Sequence, residues 1–182
     1  MAASPNVTEA LYAMDVAWKE IDVAGGASAE LQRAYITENP SRADSRSELN
    51  RAVGSLKYHE VHELYHPYLR QLIADAGYYD LFLFSLDGDC VYTVAKELDF
   101  ATNLLSGRWA SSGLGSVLRA ALAEPRAVHE VGFAPYAPSN GDLASFVATG
   151  IQAKGHLFGI IALQVPFAAA VQLSPDGDRI QS

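Results

Sequence analysis

The feature that most constrains this chain is a change of hydrophobic period at Gly77. Before it, apolar residues recur every three or four positions. After it, they alternate or run in short blocks separated by turn residues. Leu11, Met14, Trp18 and Ile21 fall on one helical face, with Ser4 and Pro5 at the start and Gly25 and Gly26 at the end. A second, shorter helix is expected over Ser28–Glu38, broken at Pro40. A long helical region follows from about Ser45 to Ala76. Its stripes are Leu49, Val53 and Leu56, then Tyr65, Leu69, Leu72 and Ile73. Pro67 lies within it, so a kink or a fresh helix start is expected there.

Downstream the pattern is that of strands. YYDLFLFS and CVYTVAK flank a tight turn at Asp87-Gly88, the clearest hairpin in the chain. ELDFATNLLSGRW is a connecting segment, and Leu114–Ala123 reads as a short helix stopped by Pro125. AVHEVGFAPY is strand-like. LASFVATGIQA and LFGIIALQVP form a second hairpin around Lys154-Gly155. Together these imply one α+β domain: N-terminal helices, one of them long, packed on one face of a mostly antiparallel five-stranded sheet. Residues 1–76 form the helical region, 77–170 the sheet region and 171–182 a loose polar tail.

Composition narrows the function. The chain has 182 residues and a net charge of −8, with its basic residues scattered, which argues against a nucleic-acid partner. Its single cysteine, Cys90, excludes an intrachain disulfide and reads as a buried thiol. No apolar run approaches the roughly 20 residues that span a bilayer. MAASPNVTEALYAMD lacks the basic and apolar regions of a signal peptide.

HELYH, residues 62–66, matches the H-E-x-x-H pattern of zinc hydrolases. Two observations oppose that reading. Pro67 disturbs the turn that would fix His66 relative to His62, and no third ligand follows in PYLRQLIADAG. His62 and His66 are therefore expected to face away from any shared metal site, with a helix break or kink at Pro67 and His66 capping or bonding a nearby carbonyl. His129 and His156 are isolated and expected at the solvent face. No metal, cofactor or catalytic residue is assigned.

The segments that stand out are polar and aromatic. VYTVAKELDFATNLLSGRW crowds Lys96, Glu97 and Asp99 beside Phe100, Asn103 and Trp109. GFAPYAPSNGDLASF brings Phe133, Tyr136 and Phe146 around a Pro-rich loop. Aromatic walls with a few charged or amide groups describe a small-ligand pocket, and a solvated loop over the sheet edge is the alternative.

The same segments carry a resemblance. AYITENP, YHPYLRQ, GYYDLFL, KELDFATNL and PYAPS, in that order, resemble the sensory domains of bacterial methyl-accepting chemotaxis proteins; similar modules precede some sensor kinases and nucleotide cyclases. The resemblance runs from about Tyr35 to Pro166. It implies a Cache-type, PAS-like extracytoplasmic sensor. Gly132 departs from it, standing where similar sequences often carry an aspartate. So do the absence of a flanking membrane helix and the run of the tail. An excised receptor ectodomain, or a free-standing version with a cytoplasmic location as the alternative, would account for the missing helix.

The leading expectation is a non-catalytic, periplasmic sensing domain. Its ligand, an amino acid, amine or organic acid, would lie against Tyr92, Lys96, Asp99, Asn103, Trp109, Tyr136 and Phe146. Lys96 suits a ligand carboxylate, unless it simply pairs with Glu97, and Asp99 suits an amine. A homodimer through the N-terminal helices fits the same reading. The alternatives are a ligand-independent dimerisation module and, remotely, the zinc hydrolase.

Overall fold

The computed structural model describes residues 5–21 and 26–167. Ser4, Gly25 and the tail expected over 171–182 lie outside the described residues. Helix α1 spans Val7–Ile21. Asn6 Oδ1 accepts the Glu9 N–H at 2.9 Å, so the observed cap is Asn6 and Pro5 precedes the helix. Helix α2, Ala27–Gln32, continues into a π turn over Arg33–Thr37 that buries Tyr35 completely.

The long helix starts later than its apolar spacing suggests. Arg46–Glu48 is a single 3-10 turn, the segment after it is not helical, and Val53 is fully exposed. Gly54, at φ 135°, lies far from helical backbone and ends any helix through this stripe. Helix α3 then runs from Lys57 to Ala76 without the break expected at Pro67. Proline removes the donor for the Glu63 carbonyl, but Glu63 and Pro67 both lie on the exposed face, where water replaces it. Gly77, in the left-handed region at φ 76°, stops the helix as the Tyr78 N–H bonds the Ile73 carbonyl.

Strands β1 (Asp80–Phe84), β2 (Cys90–Thr93), β3 (His129–Pro135), β4 (Leu143–Ala153) and β5 (His156–Pro166) form one sheet in the order β2-β1-β5-β4-β3. Every neighbouring pair is antiparallel. The hairpin turns fall where expected, with Gly88, Lys154 and Gly155 at positive φ. Helix α4 (Gly113–Ala123) is capped by the Ser112 hydroxyl, and the Pro125 carbonyl beyond it accepts the Gly150 N–H of β4 at 3.0 Å.

Helices cover both faces of the sheet, not one as expected. Leu81 and Leu83 enter the core made with α1, α2 and α3. Phe82 and Phe84 enter a second core, made with α4. The reason is visible in β1: Leu81–Phe84 is fully apolar and fully buried, and a strand with no polar side must be covered on both sides. Among the described residues no helix is long and apolar enough to cross a membrane.

Backbones approach most closely at Gly159. A Cβ there would sit 2.3 Å from the Phe84 carbonyl oxygen and 2.7 Å from a Leu11 methyl. Gly159→Ala is expected to destabilise the fold by about 2–3 kcal/mol, measured by urea denaturation. A loss below about 0.5 kcal/mol would show that β1, β5 and α1 pack less tightly than described.

Candidate ligand-binding site

The site grows from the end of β2. Asp80 opens β1 and is completely buried. Its Oδ1 accepts the N–H groups of Leu81, Val94 and Ala95 at 2.7, 2.8 and 3.0 Å. Val94 shares its N–H between Asp80 and the Leu81 carbonyl, Ala95 gives its own to Asp80, and β2 ends at Thr93 although its apolar pattern continues. The chain then turns through Lys96 at φ 60° into the long connection that leads to α4.

Lys96 is 1% exposed. Its ammonium lies 4.2, 5.0 and 5.7 Å from the ring centres of Tyr92, Phe100 and Tyr35, and it donates to the Thr93 carbonyl. Burial pushes its pKa down to about 7, with Asp80 pulling the other way. The Lys96–Glu97 pair considered above does not form. Glu97 instead accepts the Tyr79 and Ser139 hydroxyls, each at 2.6 Å.

Asp99 is fully buried. Its Oδ2 accepts the Tyr136 hydroxyl at 2.5 Å, while its Oδ1 and Asp80 Oδ2 have no hydrogen-bond partner among the described residues. Burial raises the Asp99 pKa to about 7, opposed by the Tyr136 bond. Asp80 is pushed up as well, by burial and then by Asp99. Buried acceptors without donors are costly and rare in folded proteins.

The seven residues singled out from sequence are distributed as follows. Tyr92 and Lys96 join the core under α3. Tyr136 and Phe146, ring centres 4.8 Å apart, belong to the core under α4 and carry Asp99 with them. Asn103 ties the connection to the β1–β2 turn: its Nδ2 donates to Asp87 O and Asp89 Oδ1, and its Oδ1 accepts the Leu105 and Ser106 N–H groups. Trp109 is half-buried, donates to the Leu98 carbonyl and is overlaid by Arg108. Sequence reasoning missed Asp80, Ser139 and Gln164. The available signal was a lone polar residue inside an otherwise apolar strand, as in YYDLFLF and IIALQVP.

The HELYH histidines do not diverge as expected. They stack, ring centres 4.3 Å apart, on the buried side of α3. His62 Nδ1 faces the Asn50 carbonyl at 2.7 Å and so carries its proton. His66 Nε2 donates to the Ser47 carbonyl at 2.7 Å, leaving Nδ1 to accept the Tyr92 hydroxyl at 2.6 Å. Both nitrogens of His66 are therefore engaged, and Glu63 pairs with Arg51 at the surface. Among the described residues no three His, Cys, Asp or Glu side chains gather as metal ligands. Cys90 is buried, as expected.

No family model matches the chain, and no curated protein matches it. Among solved structures it is similar to the sensor domain of the V. cholerae histidine kinase DctB, at 14% identity and a TM-score of 0.49 over 90% of this chain and 59% of that one. It is also similar to the ligand-binding domain of the Campylobacter jejuni chemoreceptor Tlp3 in complex with 4-methylisoleucine, at 9% identity and a TM-score of 0.46 over 91% and 59%. A third is that of the Pseudomonas aeruginosa amino acid chemoreceptor PctC in complex with GABA, at 12% identity and 0.36 over 90% and 62%. The chain spans about three fifths of the length of each. The architecture itself, a five-stranded antiparallel sheet with a long helix before it, is α+β and consistent with the PAS/Cache-like fold that the sequence resemblance implies.

Burial pushes His66 down to about 3, against 6.5 for an ordinary histidine. Between those values the unfolded chain binds a proton that the folded chain does not. The stability His66 contributes is thus complete above pH 6.5 and is lost as pH falls toward 3. Below pH 6.5 the wild type is expected to lose stability faster than His66→Gln, by about 1.4 kcal/mol per pH unit. Parallel denaturation curves for the two proteins from pH 7 to 4.5 would contradict this.

Proposed function

We propose that this chain is a non-catalytic small-molecule sensing domain, the extracytoplasmic part of a bacterial chemoreceptor or similar transmembrane receptor. The observation that carries the reading is the fully buried Asp99 carboxylate, held by one hydroxyl and with its second oxygen unpaired. A ligand N–H or O–H supplies the missing donor. Tyr136 and Phe146 form the wall beside it, and Tyr92, Lys96, Asn103 and Trp109 complete the set of contact and loop-ordering residues. Lys96 lies under α3, on the other face of the sheet, so the donor at Asp99 is the ligand's own amine or hydroxyl and Lys96 acts on the far side of the sheet. The ligand class is an amino acid, amine or organic acid. The extracytoplasmic placement rests on the sequence resemblance.

Signalling would use the bonds that join the sheet to α3. The Tyr58 hydroxyl donates to the Val91 carbonyl at 2.6 Å, and Tyr92 donates to His66. A ligand that draws β2 or the loop after it therefore pulls on the helix through two buried hydrogen bonds. The response is a shift between two packings, set by the ligand's differential affinity for them.

A thermal-shift screen of amino acids, amines and organic acids tests the reading. A true ligand at about 100 times its Kd stabilises the fold by about 2.7 kcal/mol, raising Tm by roughly 5 °C or more. Asp99→Asn is expected to abolish that shift. If no compound of these classes raises Tm, the sensing reading fails.

The homodimer belongs to the same proposal. Helix α1 leaves Tyr12 and Val16 exposed, and α3 leaves Leu64 63% exposed. Light scattering after size exclusion is expected to give a dimer that Leu64→Glu converts to monomer. A wild-type monomer at the highest workable concentration would remove the dimer from the proposal.

A further inference from the structure

We propose a second ligand site, in the groove at the end of β5, that takes a primary ammonium group carried on a short apolar stem. The groove encloses about 320 Å³, near the lower end of the range for small-molecule sites. Tyr79, Leu143, Pro166 and Phe167 give it apolar walls, and Ser139, Asp142 and Gln164 supply its polar groups. None of the seven residues of the Asp99 reading lines it, so the two proposals stand or fall separately.

The direction of the hydrogen bonds fixes what the groove lacks. The Glu97 carboxylate accepts from both Tyr79 and Ser139. Ser139 has spent its only proton there, so its Oγ must accept from Gln164 Nε2, at 3.0 Å. That sets the amide orientation and leaves Gln164 Oε1 as the spare atom. It has no partner, and Gln164 is 3% exposed. A buried carbonyl at a groove wall calls for a donor.

The donor that fits is cationic. Asp142 stands exposed at the groove, and among the described residues no lysine or arginine lines it. Burial is what chiefly pushes Tyr79 and Glu97 in the network behind it upward, and the field of Asp142 adds to it. The unpaired Gln164 carbonyl beside the Asp142 carboxylate suits a compact ammonium, which donates in three directions, better than the planar fork of a guanidinium. The apolar walls suit a stem of a few carbons or one ring. A carboxylate ligand would be repelled by Asp142 and would meet no cation among the described lining residues.

Benzylammonium is the probe, titrated into the chain by calorimetry at pH 7.5 in low salt, with benzyl alcohol and benzoate as uncharged and oppositely charged controls. The expected result is saturable 1:1 binding of benzylammonium, weaker binding of the alcohol and none of benzoate. Asp142→Asn should raise Kd about fivefold. Gln164→Leu should raise it about tenfold or more. Asp99→Asn should leave it unchanged. Should Gln164→Leu fail to fold, Asp142→Asn on its exposed turn decides the matter. The proposal is overturned by absence of saturable binding, by equal binding of benzoate or by an unchanged Kd in Asp142→Asn. Loss of binding in Asp99→Asn also overturns it, since the amine would then belong to the inner cluster.

Discussion

The organisation of this molecule depends on one buried carboxylate oxygen. Asp80 Oδ1 gathers three backbone N–H groups at the point where β1 begins and β2 ends. Without it, Ala95 would have an unpaired donor at the sheet edge and Val94 only its bond to the Leu81 carbonyl, and the chain would have no reason to leave the strand there. With it, the backbone turns at once, and Lys96, Glu97 and Asp99 are carried into the interior. A residue at position 80 without an acceptor oxygen would keep the β1 core and lose the corner.

Around that corner the charged groups are sorted by the two faces of the sheet. Lys96 lies among the rings under α3, while Asp99 joins the rings under α4. Both are drawn toward neutrality by burial, from opposite directions. A core that buries polar atoms without satisfying them is poorly explained by stability alone. Under the proposed sensing function, a ligand would bring the donors that the protein withholds.

Helix α3 is the other half of the design. Its buried side is unusually polar, carrying His59, His62 and His66 beside Tyr58, Leu69 and Ile73. The HELYH pattern thus has an identity different from the one its letters suggest. Spacing of three and four residues put the histidines on one face, as it would for a metal. The face turned inward, and carbonyls of the 47–50 segment together with Tyr92 took His62 Nδ1 and both nitrogens of His66, while His62 Nε2 has no partner among the described residues. Proline at 67 left the helix whole because its missing bond falls on the wet side.

Much of the fold was legible in the string. The change of period at Gly77, the turns at Asp87-Gly88 and Lys154-Gly155, and the five strands in order are all local signals, set by backbone sterics and by which side chains avoid water. Local signals also misled. The apolar spacing of Leu49, Val53 and Leu56 mimicked a helix that Gly54 prevents, and the apolar run of CVYTVAK hid a strand end that a residue fourteen positions earlier imposes. For the site, the sequence determined which chemistries were present: a lysine, two acids, an amide and several rings in two loops. Only the tertiary structure decided their company. It put Lys96 and Asp99 on different faces, made Asn103 a joint, and brought Asp80, Ser139 and Gln164 to the centre. Hydrogen-bond partners and desolvation are properties of long-range packing, and no window of a linear sequence contains them.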